Sequence, residues 1–593
     1  MNSVSVTGKK WVLKDFNISH SNFLIDNYFL DSTVAKLIAI KNIKREEIEN
    51  YLNPAIKNSL PNPSVLKGMD KATLRTLEAI IKKEKVGIFG DYDVDGASST
   101  ALLGRYFKHV NLKFEIYIPD RKLEGFGPTI KGFENMIKKN PKLIFTVDCG
   151  TLSFEPINFA NKKKIDVLVL DHHQSEVKLP NAYSIINPNQ IDDSSNLNNL
   201  CAAGVCFMFL ISLNRELKKI NWFKNNKIKE PNLIEYLDLV SLGTVCDVVP
   251  LTGLNRAIVK QGLKILHLKK NLGLKTLFDI CKIESAPTPY HLGYILGPRI
   301  NAGGRVGKCS HGANLLLNKD PKAAFLLASE LEHYNKERQI LEKELLNEAI
   351  KDAFKCNEPV IVLSGKNWHE GVIGIIASRI KDKFNKPTII ISKKINVGKA
   401  SARSVNGFDI GSAIIAAVQN GILLKGGGHK MAGGFSLNIE KINQFKEFIN
   451  KKYKLLNLDA SEEKKIYIDS LIAPTALNLD FFNKVNTLAP FGAGNSEPRF
   501  SIENLRPVNS KIVGEKHIKS VLLGSDGTGI KTIAFNALES DLGAYLLKKD
   551  NKTFNIVGKI SLNEWRGNKN VEFIIDDISV IKKHEKTVPS SIG

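Results

Sequence analysis

The chain has 593 residues, 43% of them apolar, and a formal net charge of +23. That length and apolar content exclude a disordered or fibrous chain and leave room for three or four domains with proper cores. The basic excess points to a polyanionic partner, nucleic acid above all, although a generally Lys-rich surface would carry the same charge.

Seven cysteines are scattered without a Cys-x-x-Cys pair, so neither a disulfide framework nor a zinc ribbon is implied. Met1 to Phe16 lacks the apolar core of a signal peptide, and no apolar run reaches the length of a membrane span. The expected location is the cytoplasm.

Residues 1 to about 78 read as a helical segment, with short helices at Ser32–Ile40 and Lys44–Leu52 and proline punctuation at Pro54, Pro61 and Pro63. From there the pattern alternates strand and helix. Val86–Phe89 is a strand, Ala97–Lys108 a helix, and Phe114–Ile118, Leu143–Val147 and Val167–Leu170 are further strands. Such alternation predicts a parallel sheet, whose ligands bind at the carboxyl ends of the strands.

Those ends carry the chemistry. The first runs into Gly90-Asp-Tyr-Asp-Val-Asp-Gly96, with Asp91, Asp93 and Asp95 at alternating positions and glycines that permit tight turns. Three like charges so close need a cation or a good hydrogen-bond cage. A solvated acidic turn or an isolated Ca-binding loop is the bland alternative. An EF-hand is not, because no Glu stands at the twelfth position. A second strand ends in Asp148-Cys-Gly-Thr151, another in Asp171-His172-His173, and an apolar stretch, Tyr236–Val245, ends at Asp247. Carboxylates and imidazoles thus converge on one rim, an oxygen-rich set that suits Mn²⁺ or Mg²⁺ better than zinc.

Beyond the rim, residues 251–320 read as helical and loopy. Arg299 and Arg305 flank a Gly-rich loop, where guanidinium groups suit phosphate. Surface arginines in a turn would look the same. Lys322 to about Lys355 has apolar residues at helical spacing and reads as one helix of about 50 Å linking two lobes across a cleft. Residues 357–456 form a second α/β unit with strands at Pro359–Leu363 and Pro387–Ile391 and a helix over Gly371–Ile380. Ser401 and Arg403 add a hydroxyl and a guanidinium. Gly426-Gly427-Gly428-His429 lets backbone N–H groups approach a phosphate, or is simply a Gly-rich hairpin. From 457 to 583 short β-like runs predict a small barrel: Ile466–Ile468, Val521–Leu523, Thr532–Phe535, Phe554–Ile560 and Val571–Ile575. Lys531, Phe535, Lys559, Trp565, Arg566 and Lys569 interleave there as in a single-strand-binding surface. Residues 584–593 read as a loose tail.

Taken together, Gly90–Gly96, Val147–Thr151, Asp171–His173 and Gly243-Thr-Val-Cys-Asp247 resemble the successive motifs of the DHH phosphoesterases. The resemblance continues, in family order, through Gly297–Arg305, Trp368–Gly374, Ser401–Ser404, Gly426–Gly434 and Pro490–Asn495. Its wording and distances are closest to the branch that trims single-stranded DNA from the 5′ end. It implies a DHH parallel-sheet domain at 79–320, a linking helix at 321–356, a smaller DHH-associated α/β domain at 357–456 and an OB-like β-barrel at 457–583. It implies two divalent ions, Mn²⁺ or Mg²⁺, held by Asp91, Asp93, Asp95, Asp148, His172 and Asp247, with His173 beside them or on the phosphate. Arg299, Arg305, Ser401, Arg403, Gly427, Gly428 and His429 would hold substrate. The implied role is DNA repair and recombination, by a monomer working with a single-strand-binding protein and a helicase. Two alternatives stand against it: a phosphodiesterase for short oligonucleotides or cyclic dinucleotides, and a DHH scaffold that binds DNA without cutting it.

Overall fold

A computed structural model describes residues 5–121, 124, 125, 127–456, 464–548, 553–565 and 568–580. The chain forms two compact units. One comprises residues 61–249 and 261–461; the other joins residues 1–60, 250–260 and 462–593. Residues 584–593, read above as a tail, lie outside the described residues.

The first unit opens with a five-stranded sheet. Its strands are β1 (Val86–Gly90), β2 (Phe114–Tyr117), β3 (Leu143–Val147), β4 (Asp166–Leu170) and β5 (Ser184–Ile186). They run in the order β2-β1-β3-β4-β5 and all pair in parallel. β1 and β3 are buried at every position, as strands covered on both faces must be. The strand order reverses direction between β1 and β3, and a crevice at the carboxyl ends forms at such a switch point.

Three helices frame that crevice: α1 (Val94–His109), α2 (Ala202–Lys219) and α3 (Leu237–Cys246). α1 begins three residues earlier than its periodicity suggests, because Asp93 caps it through Gly96 N. A π-helical turn, His291–Leu296, leads into α4 (Gly297–Val306). The Gly-rich stretch around Arg299 and Arg305 is therefore a helix and not a loop. Tertiary packing overrides its weak propensity: a Cβ on Gly304 would collide with the Tyr92 ring, and one on Gly303 would meet Lys308 O at 2.7 Å.

The linking helix is α5 (Pro321–Phe354), capped by Asp320. Its last turns pack Leu345, Ala349 and Ala353 into one core with Trp368 and Ile376. The second lobe comprises β6 (Ile361–Lys366), α6 (Ile373–Phe384), β7 (Thr388–Lys393), β8 (Val397–Arg403), α7 (Ile410–Gln419), β9 (Lys425–His429) and β10 (Ala432–Asn438). The sheet order is β9-β10-β8-β7-β6, and only β6 and β7 are parallel. The glycines at 426–428 thus lie on an edge strand of a hairpin.

In the other unit, six strands form one sheet, and Phe500–Val513 pairs with both His517–Leu523 and Phe554–Trp565, which closes a ring. This is the expected barrel. Ile466–Ile468 is a strand outside it, paired in parallel with Lys10–Leu13. Leu24, Val34 and Ile38 share the barrel's core with Phe481, Phe500 and Phe573. Arg256 is buried beneath Tyr51, its guanidinium 4.2 Å from the ring centroid, and donates to the carbonyls of Tyr51, Leu488, Ala489 and Pro490. Of the basic and aromatic set, Phe535 is half exposed and stands edge-on to His517, while Lys559 pairs with Glu497 at 3.2 Å. The Trp565 side chain and Arg566 lie outside the described residues.

Candidate metal centre

All seven acidic and imidazole residues singled out in the sequence meet at the β1/β3 switch point. Three overlapping sets each bring ligand atoms within 4.8 Å of one another: Asp91, Asp93 and Asp148; Asp95, His172 and Asp247; Asp148, His172 and His173. His172 Nε2 lies 3.3 Å from Asp148, 3.6 Å from Asp247 and 3.8 Å from Asp95. Both His172 Nε2 and Asp91 Oδ1 are buried, yet neither has a hydrogen-bond partner among the described residues. Orphaned polar atoms of this kind cost free energy unless something fills the gap between them. A hard divalent cation fits the donor set.

The backbone is shaped to aim these groups. Asp148 sits at φ 60°, in the left-handed region that side chains avoid, immediately after β3. Val248, next to Asp247, stands at φ 61°, which is costlier still for a β-branched residue. Asp247 caps the carboxyl end of α3, where the helix dipole opposes a carboxylate. Asp95 is buried against the amino end of α2 and accepts from Ala202 N and Ala203 N at 2.6 and 2.9 Å. Gly243 leaves room for it, since a Cβ there would stand 2.5 Å from Asp95 Oδ1. Gly96 works by closeness too, not by a special turn: a Cβ would stand 2.5 Å from Asp91 O.

Electrostatics strain the cluster further. Burial, reinforced by Asp93, pushes Asp91 up to about 7. Burial, with Asp95 and Asp93, pushes Asp247 up to about 8. Asp95 and Asp148 are raised as well, burial again being the largest cause. Asp171 goes the other way. Burial alone would raise it, but hydrogen bonds from His173 Nδ1 and from the Thr151 hydroxyl and N–H hold it below the usual carboxylate range. In return that hydrogen bond lifts His173 to about 9, so its imidazole is charged at neutral pH.

A basic group adjoins the acidic one. Arg305 donates to Gly371 O, and burial together with Arg121, Arg338 and Arg403 lowers it to about 10. Arg121 lies 5.3 Å from the ring centroid of Tyr92, the residue between Asp91 and Asp93. Arg403 ends β8 and is held by Ser401 Oγ and Ala402 O at 3.2 and 2.8 Å. Its Nη2 lies 3.3 Å from where a Cβ on Gly374 would stand, in the first turn of α6. His429, Ala432 and Arg403 are register partners across β9, β10 and β8, so all three sit at one end of the sheet. Arg299 is different: it pairs with Glu332 at 2.6 Å and donates to Ile295 O.

Comparison with known proteins gives this geometry a context. Residues 85–244 match the DHH family N-terminal domain, 357–455 the DHHA1 domain and 468–577 the RecJ OB domain. The chain is 33% identical over 547 residues to the single-stranded-DNA-specific exonuclease RecJ of Escherichia coli K12, covering 89% of this chain and 92% of that one. The chain belongs to the RecJ family.

The RecJ of Bacillus subtilis is 30% identical over 529 residues, covering 88% of this chain, but the match spans 64% of that longer relative. The crystal structure of RecJ from Thermus thermophilus in complex with Mn²⁺ superposes with a TM-score of 0.78 at 26% identity, covering 97% of this chain and 80% of that one. Its Mg²⁺ complex gives 0.73 at 25% identity, covering 97% and 79%.

The RecJ-like site also contains residues to which the sequence assigned no role. Asp171 orients the imidazole of His173 and accepts from His172 N at 2.7 Å. Asn187, after β5, donates to Thr151 Oγ1 and His173 O and so ties the two strand ends together. Arg121 follows β2 by four residues, and the rim argument applied to that strand would have found it.

The raised carboxyls make a measurable prediction. In an unfolded chain they ionise near 4; in the metal-free fold Asp91 and Asp247 ionise near 7 and 8. The folded state therefore binds more protons than the unfolded one between about pH 5 and 8, so the metal-free protein loses stability as pH rises through that window. A bound cation favours the ionised form and restores it. Mn²⁺ should raise Tm more at about pH 8 than at about pH 6, with protons released on binding by calorimetry in buffers of different ionisation enthalpy. An equal gain in Tm at both pH values would count against a metal held by these carboxyls.

Proposed function

We propose that this protein is a metal-dependent, single-strand-specific DNA exonuclease that removes mononucleotides from the 5′ end. The observation that carries the reading is the convergence of seven acidic and imidazole side chains on one switch point, with unpartnered buried atoms inside and a basic cluster alongside. Asp91, Asp93 and Asp148 would hold one divalent ion, and Asp95, His172 and Asp247 a second. When bound, such ions supply Lewis acidity and a nucleophile at neutral pH.

The chain's own groups do the rest. Asp171 keeps His173 charged and oriented, so that its imidazolium can face the phosphate. Arg121, Arg305 and Arg403, with Ser401 Oγ, would bind the terminal and scissile phosphates. Burial leaves Arg305 and Arg403 largely desolvated, which strengthens their pairing with an anion. The edge strand at Gly427, Gly428 and His429, half-buried at Gly427 and exposed at the other two, would carry the next stretch of backbone. The domain boundaries at 79–320, 321–356, 357–456 and 457–583 belong to this proposal, with the barrel gripping the outgoing strand. So do action as a monomer in the cytoplasm, in repair and recombination, and partnership with a helicase that frees the strand and a single-strand-binding protein that coats it.

Incubating the protein with Mn²⁺ and 5′-labelled single-stranded DNA tests the reading. Labelled mononucleotide should appear from the first turnovers, with duplex of the same sequence spared. Hydrolysis of dinucleotides alone would favour a short-oligonucleotide phosphodiesterase. Binding without cleavage would leave a scaffold.

A further inference from the structure

The helix that leads into α4 presents two aromatic side chains to water. Tyr290 and Tyr294 are 60% and 74% exposed, and their rings stack on each other with centroids 5.3 Å apart at 24°. Residues at i and i+4 share a helix face, so the pair forms a short ladder. The ladder spans the π-helical turn His291–Leu296, a distortion that recurs at functional sites.

Its inner face is fixed to the catalytic rim. Cys246 Sγ donates to Leu292 O at 3.4 Å, and a Cβ on Gly297 would come within 2.7 Å of that sulfur. Gly293 lies close to α3 as well, with a Cβ there 3.5 Å from Val245 Cγ1. The turn is thus bolted to the last residues of α3, and the next residue is Asp247. The two rings are exposed on the same turn whose Leu292 and Leu296 are buried. The surrounding segment, residues 264–308, carries eight Lys and Arg against two acidic residues.

We propose that Tyr290 and Tyr294 are a base-stacking ladder for single-stranded DNA, taking nucleobases a few nucleotides to the 3′ side of the scissile phosphate. The inference rests on the exonuclease reading above and adds a subsite to it. Aromatic faces take any base, and basic residues from the same stretch of chain would follow the backbone, the pairing of interactions that sequence-independent strand binding requires. A protein partner would also cover apolar rings. Position decides for the strand: a polynucleotide whose end lies at Asp247 must leave across neighbouring surface, and the turn packed on the last residues of α3 carries these two exposed rings.

The test compares a strand of about twenty nucleotides with a dinucleotide too short to reach the ladder, using the full chain with Mn²⁺. In the Tyr290→Ala/Tyr294→Ala double variant, the preference for the long strand in kcat/KM should fall about 10- to 100-fold, nearly all through KM. The Tyr290→Phe/Tyr294→Phe variant keeps the rings and should recover the preference. Moving a single abasic nucleotide along the strand should reveal a position that raises KM for the wild type but adds nothing in the alanine variant. An unchanged preference in the alanine variant, or the same abasic penalty in both proteins, overturns the ladder and marks the pair as a protein-docking patch. Should the wild type cut neither substrate, the exonuclease reading falls by itself. The ladder is then judged by anisotropy of a fluorescent strand, where equal affinity of wild type and alanine variant overturns it.

Discussion

Asp148→Asn should lower kcat on single-stranded DNA by at least about 10³-fold while leaving affinity for the strand within about twofold. Asp148 supplies a ligand atom to two of the three overlapping sets, one with Asp91 and Asp93, the other with His172 and His173. It is the carboxylate common to those two sets. Asparagine is the informative replacement for two reasons. It matches aspartate in size at a position only 3% exposed, and it tolerates the left-handed backbone at φ 60° better than most residues. The variant should therefore fold, and the loss should reflect charge. If Asp148 is a ligand as proposed, removing its charge would weaken the hold on a cation where charge develops in the transition state, so the defect would fall on kcat. On the proposed reading, strand affinity comes from Arg403, the glycine edge and the barrel, none of which the substitution alters. Single-turnover kinetics, Mn²⁺ calorimetry and anisotropy of a labelled strand measure the three quantities separately. Near-normal turnover in a folded Asp148→Asn protein would remove Asp148 from the site.

The acidic rim was legible because parallel sheets bring strand ends together, and Asp at the end of a buried apolar run has few other purposes. Val86–Gly90 and Leu143–Val147 are runs of five buried residues with no alternation, and Asp91 and Asp148 follow them directly. Asp171 was harder. It follows a strand in the same way, yet its role is to receive hydrogen bonds from His173, two residues on, and from Thr151, and the pairing with Thr151 twenty residues away leaves no periodic trace. Asp95 was placed in a loop, whereas capping by Asp93 draws it into the first turn of α1. The helix at Gly297–Val306 was hidden by its three glycines and proline, which propensity assigns to a loop and which close contacts with Tyr92 and Lys308 require. The fourteen-residue strand Phe500–Val513 was missed for the opposite reason. Asn504, Pro507 and Asn509 interrupt its pattern, and the structure absorbs them in register shifts between Ile502 and Leu505 and between Pro507 and Asn509. Arg299 carried the right side chain for phosphate, but Glu332 on α5, 33 residues away, already holds it.

Arg403→Ala should raise KM for single-stranded DNA about 10²-fold, far more than Asp148→Asn does, with Mn²⁺ affinity unchanged. The guanidinium is largely desolvated, and burial alone lowers its pKa; no carboxylate among the described residues pairs with it. Its contacts are Ser401 Oγ and a backbone carbonyl, which orient it without neutralising it. It also faces the first turn of α6 at Gly374, a helix amino end that favours negative charge. A desolvated cation beside a helix amino end is unfavourable as it stands and strongly favourable once an anion is shared between them. A phosphate is such an anion, and it is already charged in the ground state, so the interaction is made on binding and shows in KM. If the group also sets the strand end against the acidic rim, as proposed, a smaller loss in kcat should accompany it. Arg403→Lys keeps the charge but not the planar fork, and should recover only part of the affinity. Steady-state kinetics with Mn²⁺ titration calorimetry decides the matter. If Arg403→Ala loses metal, or leaves KM where it was, the phosphate is not held here, and Ser401–Ser404 is only the turn that ends β8.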